Sequence, residues 1–170
     1  MEEVNEKENP NNNYPISNTP DGFGKGINDY YNHYVTVADA KAGAILAANF
    51  ILLGGLISIE FCCCLAIPYL LTGLATIVSI IYCVIVLYPR LPKAEKGLIF
   101  WENLKSYNSI NEYLNDVRQL DNSKIEEEYA KQNWHVSKVL STKNTYTRNA
   151  IISFCISLIL LVITYLIKIL

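Results

Sequence analysis

The sequence predicts an all-α membrane protein with three transmembrane helices and a cytoplasmic helical module between the second and third. Three observations carry that prediction. Between Lys41 and Arg90 the only charge is Glu60, so two long apolar runs face each other across one acidic residue. A further uncharged run extends from Asn149 to Ile167. A bilayer core about 30 Å thick takes roughly 20 apolar residues per helix, which each run supplies. The cations give the orientation. Lys7, Lys25 and Lys41 precede the first run, ten lysines and arginines lie between the second and third, and Lys168 follows the last. Cation-rich loops stay cytoplasmic. The N-terminus and residues 90–148 are therefore expected inside, with the Glu60 turn and the C-terminus outside.

Residues 1–27 are rich in Asn, Glu, Pro and Gly and are expected to be a disordered tail. Residues 28–41 place Tyr30, Tyr31, Tyr34 and Val35 at helical spacing, which predicts an interfacial helix running straight into the first span, residues 42–60. That span carries Ala40, Ala44, Ala48, Gly54 and Ser58, small residues that permit close helix approach, and one strongly polar group, Asn49. The second span, residues 64–88, aligns Thr72, Thr76, Ser79 and Cys83 on one face. Pro89 and Pro92 stop it.

Residues 89–148 read as a cytoplasmic helical pair. Phe100, Leu104, Tyr107, Ile110, Leu114 and Val117 predict an amphipathic helix over 98–120. Ser123 followed by Glu126 fits a capping box for the next helix. No proline or glycine follows, so one helix over 124–168, roughly 65 Å long, is predicted to enter the third span, residues 149–168. Ser153, Ser157 and Thr164 share one face of it.

The cysteines Cys62, Cys63, Cys64, Cys83 and Cys155 lie in or beside spans without histidines at ligand spacing, so they read as apolar packing and no metal or other cofactor is expected. Gly22-Phe23-Gly24-Lys25-Gly26 lacks the spacing of a phosphate-binding loop. His33 and His135 belong to no catalytic pattern, and the chain is not expected to be an enzyme. A net charge of −2 gives no reason to expect a nucleic-acid polymer as partner. Small-ligand recognition fits the helical module better. Trp101, Gln132, Asn133, Ser137 and Lys143 combine a ring that can stack on a base, amides and a hydroxyl that can read its edge, and a cation for a phosphate. Asp39, Lys41 and Arg90 lie where the spans begin and end, where a charge needs a partner, and are candidates for gating; Asp39 could pair with Arg90 or Arg148.

Three segments extend this reading. They are Tyr31-x-x-Tyr34 with Ala38-Asp39-Ala40-Lys41-Ala42, then Tyr88-Pro89-Arg90-Leu91 with Gly97-Leu98-Ile99-Phe100-Trp101, then Tyr129-Ala130-Lys131-Gln132-Asn133 with Ser137-Lys138-Val139 and Lys143. Together they resemble the Pycsar effector transmembrane family, over the chain from about Tyr30 onward. The resemblance implies a multi-pass protein of the bacterial inner membrane that acts in anti-phage defence. A neighbouring cyclase would make a cyclic pyrimidine mononucleotide, cUMP or cCMP. The effector would sense it, act as a homo-oligomer in the lipid bilayer and impair the membrane, causing abortive infection. Two other readings stay open from the residues alone: a non-sensing accessory or scaffold protein, and a constitutive small channel or toxin.

Overall fold

The computed structural model describes residues 20–59, 65–88, 97–100 and 102–169. Glu60, Cys62 to Cys64, Pro89, Arg90, Pro92 and Trp101 lie outside the described residues. Four α-helices and one 3-10 turn make up the described secondary structure: α1 (Pro20–Ile57), α2 (Ala66–Leu87), the turn Asn103–Ser106, α3 (Ile110–Arg118) and α4 (Asn122–Ile169). No strand occurs among the described residues. Helices α1, α2 and α4 are each long and apolar enough to cross a membrane.

Helix α1 begins earlier than the tyrosine pattern suggests. The tail expected to be disordered as far as residue 27 is helical from Pro20 onward. Proline is tolerated at a first helical position because its missing N–H would lack a partner there anyway. One of the glycines that argue against a helix, Gly24, is used for packing. A Cβ on Gly24 would lie 2.9 Å from Cβ of Tyr129 on α4, so only glycine lets the two backbones come this close. Tertiary contact outweighs the roughly 1 kcal/mol that each glycine costs a helix.

Helix α2 ends at Tyr88, whose extended backbone (φ −64°, ψ 124°) is the conformation favoured by a residue before proline. The single amphipathic helix expected over 98–120 is instead divided. Residues 98–100 bend, Asn103–Ser106 is a 3-10 turn, and α3 starts afresh at Ile110. The division has a local cause. Ser109 has an extended backbone and accepts a hydrogen bond from the Glu112 amide, while the Glu112 carboxylate accepts one from the Asn108 amide. That reciprocal arrangement, closely related to a capping box, starts a helix wherever it forms. The cap of α4 is also displaced. Asp121, not Ser123, accepts a hydrogen bond from a backbone amide of the first turn, that of Lys124, at 2.8 Å. From there α4 runs unbroken for 48 residues, about 72 Å at 1.5 Å per residue, as the absence of proline and glycine leads one to expect.

The chain forms two compact units: Met1–Val35 with Arg90–Leu140, and Thr36–Pro89 with Ser141–Leu170. In the second unit, Thr72, Thr76, Ser79 and Cys83 of α2 are buried along one face, as their spacing predicts. Ser157 and Thr164 of α4 are buried too, while Ser153 is half-buried. The small residues of α1 behave differently. Ala40, Ala44, Gly54 and Ser58 are exposed and Ala48 is half-buried; Ala38 and Ala42 make the close packing instead, followed by Asn49, Leu52 and Leu56. The outward faces of all three helices carry isoleucine, leucine and valine, among them Ile51, Ile67 and Ile159. Such faces suit acyl chains, so the polar residues turn inward.

Candidate functional site

In the first unit, α1 and α4 leave a groove of about 440 Å³ between them, within the size range of small-ligand sites. Phe23, Gly24, Ile27 and Tyr31 form one wall; Glu126, Ala130, Asn133, Trp134 and Ser137 form the other. The walls are fastened by a run of amides. Asn133 donates to the Gly24 carbonyl at 2.9 Å, Asn28 donates to the Asn133 side-chain oxygen at 3.1 Å, and Asn32 donates to that of Asn28 at 2.8 Å. The Asn133 amide, which lines the groove, has a second hydrogen and a second lone pair on its oxygen with which to meet a ligand. Ser137 donates its hydroxyl to the Trp134 carbonyl at 2.9 Å and likewise keeps its acceptor capacity. Trp134 is 61% exposed, and the Lys138 ammonium lies 4.3 Å from the centroid of its ring. A ring so open can take a second flat partner on its face. On α1 the tyrosines continue the aromatic surface. Tyr30 and Tyr34 have ring centroids 4.7 Å apart, and a hydrogen bond to Tyr34 holds the Tyr30 hydroxyl above its ordinary pKa.

Of the ligand-binding residues proposed from sequence, Asn133 and Ser137 line this groove. Gln132 is half-buried and does not line it. Trp101 lies outside the described residues. Lys143 belongs to the second unit. Tyr31 and Trp134 also line the groove, and Asn28 supports it by bonding Asn133. The first two are visible in the sequence as aromatics beside polar groups. Asn28 gives no sequence signal, since its partner Asn133 is 105 residues away.

The second unit holds a different arrangement. Asp39 forms a salt bridge with Lys143, whose side chain is only 7% exposed. The same ammonium donates to the Val86 carbonyl at 2.8 Å. Val86 lies in the last turn of α2, where carbonyls lack helical partners and the dipole favours a cation. Thus Asp39 is paired with a residue of α4, Arg148 is exposed, and Lys41, two residues after Asp39, is exposed. Arg90 lies outside the described residues.

Further along α4, Thr147 is buried with its hydroxyl oxygen unpartnered. Next, Ser79 donates to the Ala150 carbonyl at 3.0 Å and accepts from the Asn49 amide at 2.8 Å. The Asn49 side-chain oxygen is buried without a partner. Beyond it, Thr76 and Ser157 share a hydrogen bond, and Ser157 also donates to the Thr72 carbonyl at 3.2 Å. Thr164 is the last buried polar residue, bonded to Leu160 of its own helix. No group of residues suited to a metal ion occurs among the described residues. Cys83 is buried and Cys155 exposed, both as free thiols.

Comparison with known proteins accords with this architecture. A family model described as the Pycsar effector protein domain matches residues 24–168. The chain is 32% identical over 127 residues to the Pycsar effector protein SaPycTM of Staphylococcus aureus, covering 72% of this chain and 80% of the relative. No solved structure matches the chain. With the family model covering both units and all three membrane-length helices, the chain belongs to the Pycsar effector family.

Proposed function

We infer that this protein is a multi-pass effector of the bacterial inner membrane that senses a cyclic pyrimidine mononucleotide, cUMP or cCMP, during phage infection and then impairs membrane integrity. The infected cell dies before the phage can spread. The groove between α1 and α4 carries this reading. It sets Tyr31 and Trp134 beside the amide of Asn133 and the hydroxyl of Ser137, which are the partners a single unpaired base calls for. Its two walls belong to helices that continue into membrane-length segments. A ligand that prefers one packing of α1 against α4 shifts the population toward that packing. The protein needs no catalytic group of its own, because the cyclase that makes the nucleotide supplies the signal. Its cation-rich segment lies on the cytoplasmic side, where that nucleotide is made.

Direct binding tests the assignment. Titration of the detergent-solubilised chain with the four cyclic mononucleotides should show saturable binding of cUMP or cCMP. Trp134→Ala should weaken it by about tenfold, since stacking on one aromatic ring is worth roughly 1–3 kcal/mol per base. Binding of neither pyrimidine nucleotide would sink the reading.

A further inference from the structure

We propose that the interior of the second unit is a closed conduction lane for small monovalent cations, plugged at one end by the Lys143 ammonium. The proposal rests on the membrane-damage reading above and specifies how the damage occurs. Two independent observations carry it.

The first is the reach of the buried polar groups. Between Lys143 and Thr164, buried polar side chains recur along the inner face of α4. The 21 residues separating them correspond to about 32 Å of helix, the full thickness of a hydrocarbon core. Hydrogen bonding across helices accounts for the partnered polar groups, such as Ser79 of α2 and Ser157 of α4. Ionisable groups that face the interior of a membrane bundle mark ion pathways, and Lys143, the first residue of this stretch, is ionisable.

The second observation is unsatisfied oxygen. The Asn49 side-chain oxygen and the Thr147 hydroxyl oxygen are buried with no hydrogen-bond partner. Leaving a buried polar atom unpaired costs about 1–3 kcal/mol, so such atoms call for an occupant. Both are hard oxygen donors of the kind that coordinate alkali and alkaline-earth cations. At the mouth, the Lys143 ammonium rests on the Asp39 carboxylate and the Val86 carbonyl. One acid and one helix-end carbonyl hold a tethered cation in the position where a free one would start along the lane.

A plug and a structural salt bridge make opposite predictions for the two partners. Lys143→Met removes the plug and leaves the Asp39 carboxylate at the mouth. Asp39→Asn leaves the ammonium on the Val86 carbonyl without a counter-charge, where it repels arriving cations. The full-length chain is reconstituted in vesicles, and uptake of rubidium ions and retention of carboxyfluorescein are measured with and without cUMP or cCMP. Lys143→Met should raise rubidium uptake without nucleotide by about tenfold or more, given that removing one partner of a buried pair costs several kcal/mol. It should retain the dye. Asp39→Asn should show no uptake with nucleotide present. Adding Asn49→Leu to Lys143→Met should bring uptake back to the wild-type resting level.

Changes of the same sign in Lys143→Met and Asp39→Asn would overturn the proposal, as would escape of the dye or undiminished uptake in the double variant. Methionine is an apolar side chain of similar length, so the variant must insert; failure to insert would make Lys143 a folding element and overturn the plug. A wild type that ignores both nucleotides, beside a leaking Lys143→Met closed by Asn49→Leu, would refute the sensing reading and leave the lane standing.

Discussion

The two units use polar side chains in opposite ways. In the first, amides clamp helices together at a half-exposed surface: Asn133 holds the Gly24 carbonyl while Trp134 beside it stays open. In the second, Asn49, Ser79, Thr76 and Ser157 are withdrawn from the surface entirely. The difference follows from the surroundings. Water can reach the exposed edge of the first unit, so contacts there are individually weak and exchangeable. A hydrocarbon exterior offers no competing partner, so the second unit must satisfy its polar groups internally. On the function proposed above, the first unit would be the one occupied and released, and the second the one that stays shut until its packing changes.

The largest expected break in that contrast comes from Lys143→Ala. It should destabilise the second unit by about 3 kcal/mol, the low end for a broken buried pair because Asp39 keeps some contact with water. Denaturant unfolding in detergent measures it, and nucleotide binding in the groove should be retained.

A smaller effect is expected from Gly24→Ala, where the added Cβ meets the Cβ of Tyr129 at 2.9 Å. Overpacking of this kind costs roughly 1–3 kcal/mol. Amide hydrogen exchange should quicken in residues 20–35 and 122–140 while residues 72–86 stay protected. Equal loss of protection in both regions would show that the two units unfold together.

The least effect belongs to Glu127→Gln. A hydrogen bond from Lys131 at 2.8 Å holds the Glu127 carboxyl below its ordinary pKa, and both side chains are mostly exposed. A depressed carboxylate stabilises above its unfolded pKa and loses that contribution as pH falls through its folded value. The small advantage of the wild type in melting temperature should therefore be present at neutral pH and vanish in acid.

Much of this arrangement is legible in the sequence because bilayer physics is strict. Charge-free runs of the right length are three, and three helices meet the requirement. The four-residue spacing of Thr72 and Thr76 already places them on one buried face. The absence of any breaker after Asp121 foretells the length of α4. What could not be read depends on distant pairing. The partner of Lys143 lies 104 residues away, so the lysine looks like a free cation until the fold is known. Gly24 looks like a flexible lead until Tyr129 is seen against it. The residues 98–120 look like one helix because their apolar spacing is regular, yet the Ser109 cap decides locally against it. Ala40 and Ala44 look like a packing face, but Ala38 and Ala42 occupy that role two positions earlier.

The threonines of the second unit have a consequence for how it could loosen. Thr72 bonds Pro68, Thr76 bonds Thr72 and Thr164 bonds Leu160, each to a carbonyl of its own helix at 2.7–2.8 Å. Parting the helices would leave the Thr72 and Thr164 hydroxyls bonded as before, while Thr76 would lose Ser157. The hydrogen bonds that separation would break include those of Lys143, Ser79, Thr76 and Ser157. Loosening of this unit therefore turns on exchanging those crossings for other partners, while the bonds of Thr72 and Thr164 travel with their own helices.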